Sequence, residues 1–459
     1  MSQGKDMTLN MTVGNPMSLL IKFSIPMLLG NLFQQLYNLA DSVIVGKLVG
    51  SDALAAIGAT NSITFLFFAL CNGIGAGGGI VTSQSFGRGD TSEVKKCISN
   101  TGYIMTIFPL LVGIAAFFLA KPILLILNTP DNIMGDSLMY LRIMSVGVLF
   151  VSLYNYISSM LRALGDSKTP LYFLIFSCVL NVLLDIFFVY GLGMGVMGAG
   201  IATVISQFLS GIGCAFFAWK RNEYFKLKRE DMKFAKGITG SVIKLGVPLS
   251  LQFSLISISC MALQRVVNSF GPVVIAAFTA TSRVEQLIHQ PYTTLGTALS
   301  TYTGQNFGAR KRTRIIDGYR KSLLIMAIFS AVMLPVMYLF GDNIMGFFVN
   351  EAEVIETGAK ALRITSLFYI FLGVIYVVRG VLNGMGDAFF ALLNGIVEVI
   401  GRFTVPILLV SVPLFGVWGI WWSVGIVWFI SGFTAWLRYT FYKKRVLNYS
   451  DEGGNYEEI

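Results

Sequence analysis

Charge is scarce in this chain. Asp, Glu, Lys and Arg make up 13% of its 459 residues, against roughly 25% in soluble domains, and so few charges cannot cover a water-exposed surface. Histidine is almost absent, with one residue, and the five cysteines, Cys71, Cys97, Cys178, Cys214 and Cys260, are scattered without metal or redox spacing. They read as small apolar fillers. With no nucleophile or metal constellation, the chain offers little chemistry to an enzyme. A cleavable signal is also missing, because the first apolar run extends from near Leu19 towards Val45 and is too long for a signal core.

What is present is apolar length: 55% of residues are hydrophobic, and there are 36 phenylalanines, 19 methionines and 48 glycines. Runs of about 20 apolar residues predict spans near 23–45, 55–81, 101–119, 139–160, 170–190, 197–219, 242–267, 274–302, 322–340, 364–382, 389–409 and 417–437. The fold class is therefore an all-α integral membrane protein of twelve transmembrane helices. The net charge of +10 is confined to short loops such as Arg88 to Lys96, Arg162 to Lys168, Lys220 to Lys236, Arg310 to Lys321 and Arg438 to Arg445. That distribution excludes a nucleic-acid surface. All of these loops fall on one side, which the positive-inside rule assigns to the cytoplasm together with both termini.

Six spans lie on each side of the polar stretch from Lys220 to Lys236, and the halves repeat. Leu54 to Thr60 matches Ile275 to Thr281, Gln84-Ser85-Phe86-Gly87 matches Gln305-Asn306-Phe307-Gly308, Leu141-Arg142-Ile143 matches Leu362-Arg363-Ile364, and Gly165-Asp166 matches Gly386-Asp387, all at a separation of 221 residues. The expected organisation is a first lobe over 1–220, a linker over 221–240, a second lobe over 241–445 and a polar tail over 446–459. An even number of spans per repeat gives pseudosymmetry about the membrane normal, the usual basis of alternating access, with a substrate path between the lobes.

An ionised side chain at mid-bilayer costs about 2.5–3.5 kcal/mol on insertion scales. Asp41, Asp185, Arg265, Glu285 and Glu398 therefore need explaining. Gln34, Tyr37, Asn38 and Asp41 share one face of the first span, too polar for lipid. Pro26 removes a backbone hydrogen bond before it and marks a hinge. Asn181 and Asp185, four apart, share a face of the fifth span, and Thr203 adds a hydroxyl from the sixth. Two carboxyls in such a pocket titrate as a coupled unit and can exchange a proton for a cation, or their oxygens can hold Na+. The competing reading is interhelical hydrogen bonding. At the repeat offset Asn181, Asp185 and Thr203 become Arg402, Pro406 and Val424, and Asp41 becomes Ala262 or Leu263, so the acidic pocket belongs to the first lobe.

In the second lobe, Glu398 and Arg402 are four apart and read as a structural pair or a second titrating site. Glu285 and His289 share a face of the eighth span, where they line the cavity, relay protons or bond neighbouring helices, and Arg265 is available to balance an acid. The dinucleotide-like run Gly193 to Gly198 joins two spans rather than a strand and a helix, and is discarded. The Gly73 to Gly79 cluster predicts close helix packing.

Asn15-Pro16, Pro26, Tyr37-Asn38, Asp41-Ser42, Gly46 and Ala53-Leu54-Ala55-Ala56-Ile57-Gly58 resemble the MATE multidrug and toxic compound extrusion transporters. Gln84 to Gly87, Leu161 to Asp166, Arg283-Val284-Glu285-Gln286 and Gln305 to Gly308 extend the likeness over nearly the whole chain. The resemblance implies two six-helix lobes forming a V in a secondary active antiporter. Such a protein exports cationic amphipathic drugs or toxic organic compounds in exchange for H+ or Na+. It further implies a bacterial, monomeric protein of the inner membrane with no other cofactor, small-molecule substrates and the lipid bilayer as its surroundings. The DinF-like coupling site fits Asp41, Asn181, Asp185 and Thr203; Gln34, Tyr37, Asn38, Glu285 and His289 are candidates for the substrate cavity. NorM-like members use acids of the seventh and tenth helices, near Ile256 and Leu372 here. The alternative within the superfamily is a lipid-linked oligosaccharide flippase, which needs a cationic cavity, for which Arg265, Arg283 and Arg379 are the available residues. A passive channel is disfavoured by the duplication and the acids.

Overall fold

The computed structural model describes residues 8–442, apart from the side chains of Ser257, Cys260, Met261 and Ala262. The tail 446–459 and the basic residues Lys443, Lys444 and Arg445 lie outside the described residues. Within them the chain is helical, without strands: α1 (Pro16–Leu48), α2 (Ser51–Arg88), α3 (Thr91–Ile126), α4 (Asp131–Ala163), α5 (Lys168–Asp185), α6 (Gly195–Arg221), α7 (Lys236–Val267), α8 (Pro272–Gly308), α9 (Arg312–Gly346), α10 (Ala352–Ser366), α11 (Tyr369–Met385), α12 (Ala388–Ser411) and α13 (Gly419–Tyr442). Ten of the helical stretches are individually long and apolar enough to cross a membrane, and α10 with α11 forms one more, broken by a 52° bend. The twelfth span is α8, whose 37 residues include Arg283, Glu285 and His289 near mid-helix. That polar middle lowers its hydropathy, yet the apolar run at 274–302 marks it as a span.

Two departures from regular helix stand out. At Asp185 the fifth span changes from α to a π-helical stretch, Ile186–Gly191. The tenth span breaks at Leu367–Phe368, a site without proline or glycine. The repeat counterpart of Ser366 to Phe368 is Ser145 to Gly147, which runs unbroken through α4. The duplicated halves are therefore broken at different places.

Packing divides the chain into two compact units. Residues 8–13 join Ile21–Ser254 in the first, and Gly14–Leu20 join residues 255–442 in the second. The division falls inside α7, not in the 221–240 stretch expected from composition. The reason is the glycine cluster of α2. A Cβ on Gly73 would lie 2.2 Å from Ser250 N and one on Gly77 2.5 Å from Gly246 N, so the first half of α7 packs backbone to backbone on α2. Ser250 Oγ also donates to the Leu70 carbonyl at 2.6 Å.

In the first unit α4 packs against α2, α3 and α6, with Ile63, Phe67 and Cys71 of α2 meeting Ala116, Ala120 and Leu124 of α3 and Leu141 and Val148 of α4. In the second, α11 packs against α8, α9 and α13. The repeated Gly-Asp pairs perform the same local task. Gly165 and Gly386 adopt φ of +87° and +95°, which glycine tolerates best. The following aspartates then cap α5 and α12. Asp166 accepts from the Thr169 N–H at 3.0 Å and Asp387 from the Phe390 N–H at 3.4 Å. Asp166 lies outside the spans, and burial raises its carboxyl above the usual range despite these bonds. Cys71, Cys97, Cys178 and Cys214 are free thiols, all buried except the half-buried Cys178.

Candidate functional site

The polar face of α1 meets α4, α5 and α6 within the first unit. Asn181 and Asp185 are fully buried and Thr203 nearly so. With its amide turned to satisfy both ends, Asn181 donates through Nδ2 to Asp185 Oδ2 at 2.9 Å and accepts the Thr203 N–H at 3.2 Å. The Tyr37 hydroxyl is 3.5 Å from Thr203 Oγ1, which bonds the Ala199 carbonyl at 3.1 Å. The Asp41 and Asp185 carboxyls are close enough to influence each other. Each still has a buried Oδ1 with no protein partner.

No Lys, Arg or His forms an ion pair with either acid among the described residues. Two neighbouring buried carboxyls with no cationic side chain beside them need a proton on one of them or a cation between them. Nearby groups include the oxygens of Tyr37, Thr203, Asn181 and Tyr140. Such hard oxygens suit H+ or Na+ rather than a soft metal, and no cluster of three or more His, Cys, Asp or Glu occurs among the described residues.

The sequence-derived quartet Asp41, Asn181, Asp185 and Thr203 is thus brought together, and Tyr37 joins it. Gln34 and Asn38 are exposed on the same helix. Pro26 is buried within a continuous α1, 15 residues before Asp41. Tyr140, from α4, was not legible beforehand: a tyrosine in an apolar span carries no distinguishing signal.

In the second unit the Glu398–Arg402 pair forms at 2.8 Å, but Arg379 completes it, donating to Glu398 at 2.9 Å and to Asn394 Oδ1 at 2.7 Å. Asn394 in turn donates to the Ser431 carbonyl at 2.9 Å and Thr434 Oγ1 at 3.0 Å. Arg379 is therefore committed to a buried network, not free to bind pyrophosphate in a flippase-type cavity. Arg265 is exposed and balances none of these acids by an ion pair among the described residues. Glu285 Oε1 and His289 Nε2, on successive turns of α8, are buried without partners, and the His289 ring lies 5.4 Å from that of Trp428. Leu372 is a buried apolar residue and Ile256 a half-buried one, so those two positions supply no acid.

Both halves of the chain match the MatE family model, over residues 26–187 and 248–410. The chain belongs to the MatE family. Its members are multidrug efflux transporters rather than enzymes, and this one is a multi-pass membrane protein of bacterial type. It is 31% identical over 376 residues to the probable multidrug resistance protein YpnP of Bacillus subtilis, covering 82% of this chain and 84% of that one. It is 24% identical over 416 residues to the multidrug export protein MepA of Staphylococcus haemolyticus, 91% of each. Its fold matches a crystal structure of a MATE in complex with MaL6 with a TM-score of 0.91 at 22% identity, over 97% of this chain and all of the other. The two separate family matches carry the same duplication that the repeat motifs trace.

Proposed function

We propose that the protein exports amphipathic, mainly cationic, compounds by alternating access, in exchange for H+ or Na+ bound at Asp41 and Asp185. The observation that carries this reading is the pair of facing carboxyls with orphaned buried oxygens and no cationic side chain. The multidrug names of YpnP and MepA support the substrate class. Antiport requires that the ion and the drug favour different conformations. Asp41 sits on α1 and Asp185 at the α-to-π junction of α5, so an ion held between them ties two helices together. Pro26 leaves the carbonyl four residues earlier without its helical donor, which gives α1 a place to bend when the ion arrives.

One pH unit supplies about 1.4 kcal/mol per proton and 100 mV about 2.3 kcal/mol per charge. One proton per pH unit therefore supports roughly tenfold accumulation of a neutral drug, before any contribution from voltage. The basic loops favour cytoplasmic termini, in a plasma-membrane protein that we take to act as a monomer. The test is equilibrium coupling: purified protein in weak buffer is mixed with ethidium, and released protons are followed with a pH dye. H+ coupling gives release that disappears in Asp41→Asn. Na+ coupling gives instead a Na+-dependent loss of ethidium affinity, abolished by the same change. Ethidium binding that is indifferent to both ions contradicts the proposal.

A further inference from the structure

The stretch after α6 is held against α3 by side chains of that helix. Buried Asn100 donates to the Lys233 carbonyl at 3.2 Å and accepts the Ala235 N–H at 2.9 Å. Ser99 donates to the Asp231 carbonyl at 2.5 Å and Tyr103 to that of Met232 at 2.6 Å. These bonds hold residues 231–235 against α3, where Phe234 lines a groove of about 350 Å3 between α3 and the start of α7 and is flanked in sequence by Lys233 and Lys236. Its walls are Tyr103, Ile104, Ile107, Leu111, Phe234 and Ile243, with Ile107 58% and Phe234 68% exposed.

The groove has the dimensions of part of a lipid. From Asn100 to Leu111, α3 rises about 16 Å at 1.5 Å per residue, close to half of the roughly 30 Å hydrocarbon thickness. A single acyl chain spans that depth. At its upper end the charge is positive: Lys226, Lys228, Arg229, Lys233 and Lys236 are exposed, and none is in an ion pair among the described residues. Of the acids in this stretch Glu223 and Glu230 are exposed and are outnumbered by the five basic residues, Asp231 is buried and engaged with the Lys228 N–H at 2.9 Å, and the first turn of α7 contains no acid.

We propose that this groove binds an anionic phospholipid, its acyl chain lying along α3 between Tyr103 and Leu111 and its phosphate held by Lys233 and Lys236. A zwitterionic lipid fits the apolar walls equally well but carries an amine cation towards the lysines. The selectivity therefore comes from the head group. The site is separate from the Asp41–Asp185 pocket and does not depend on the transport reading.

The test uses the full-length protein reconstituted in vesicles of equal phosphatidylglycerol and phosphatidylcholine, extracted and examined by native mass spectrometry for retained lipid. Wild type retains phosphatidylglycerol preferentially. Each lysine near an anionic surface contributes about 1 kcal/mol, so removing each one lowers the preference about fivefold. Lys233→Gln with Lys236→Gln should bring it near parity, and the corresponding arginine pair should keep it. Ile107→Trp, which fills the groove, should lower retention of both lipids. Equal retention by wild type, or an unchanged preference in the double glutamine variant, overturns the proposal.

Discussion

Arg379 donates to Glu398 at 2.9 Å from a different helix, α11 to α12. That contact turns the local Glu398–Arg402 pair into a buried three-residue network. Both side chains of the Arg379–Glu398 bridge are less than a tenth exposed. Buried networks of this kind are costly to break on one side, because the remaining partners stay buried and unpaired.

Glu398→Gln should therefore lower stability by about 3–5 kcal/mol, seen as a depressed melting temperature in detergent. Replacing Arg379, Glu398 and Arg402 together with Met, Leu and Leu should recover most of that loss. Efflux per folded molecule should survive the triple change. Transport abolished in a well-folded triple variant would make the network part of the transport machinery.

The crossing of α2 with the first half of α7 depends on bare backbone. Gly77→Ala places a methyl 2.5 Å from Gly246 N, where no flexible side chain can yield, and should cost about 1–3 kcal/mol. Gly79→Ala meets Ser159 at ordinary contact distance, O at 3.5 Å and Cβ at 3.9 Å, and should be neutral or stabilising by up to about 1 kcal/mol. Thermal melts of the two variants compared side by side check the difference. Equal melting temperatures would refute close packing at Gly77.

The turn before α5 makes a similar demand for a different reason. Gly165 has φ of +87°, and a Cβ there would approach Leu9 O to 2.2 Å; Leu9 N–H bonds the Leu164 carbonyl at 3.2 Å. Gly165→Ala should release the segment around Leu9 and the fully buried Met11. Faster amide exchange over residues 8–13, relative to wild type, is the expected readout. Unchanged protection there would mean that the turn absorbs the methyl.

Much of this architecture is legible from sequence because the bilayer imposes a simple code. Long apolar runs give the spans, and the offset of 221 residues gives the duplication. Asp41, Asn181 and Asp185 stand out because a polar side chain in an apolar run needs a reason, and Asn181 and Asp185 fall on one face at helical spacing. The remaining features depend on tertiary approach. Tyr140 nears the acids from α4, and Arg379 finds Glu398 across 19 residues and a turn. The break at Leu367–Phe368 has no proline or glycine to announce it, whereas its counterpart in α4 contains Gly147 and stays helical. The α-to-π change at Asp185 likewise has no proline or glycine at its start to announce it. Composition places a lobe boundary in the polar 221–240 stretch, but steric fit at Gly73 and Gly77 holds the first half of α7 in the first unit.

The central claim is that Asp41 and Asp185 form the ion site that drives export. The most direct measurement is ethidium efflux from reconstituted vesicles under an imposed pH or Na+ gradient, comparing wild type with Asp41→Asn and Asp185→Asn. Efflux driven by one gradient in wild type and lost in both variants, with their melting temperatures preserved, is the predicted result and names the ion. Gradient-driven efflux that persists in both variants would contradict it.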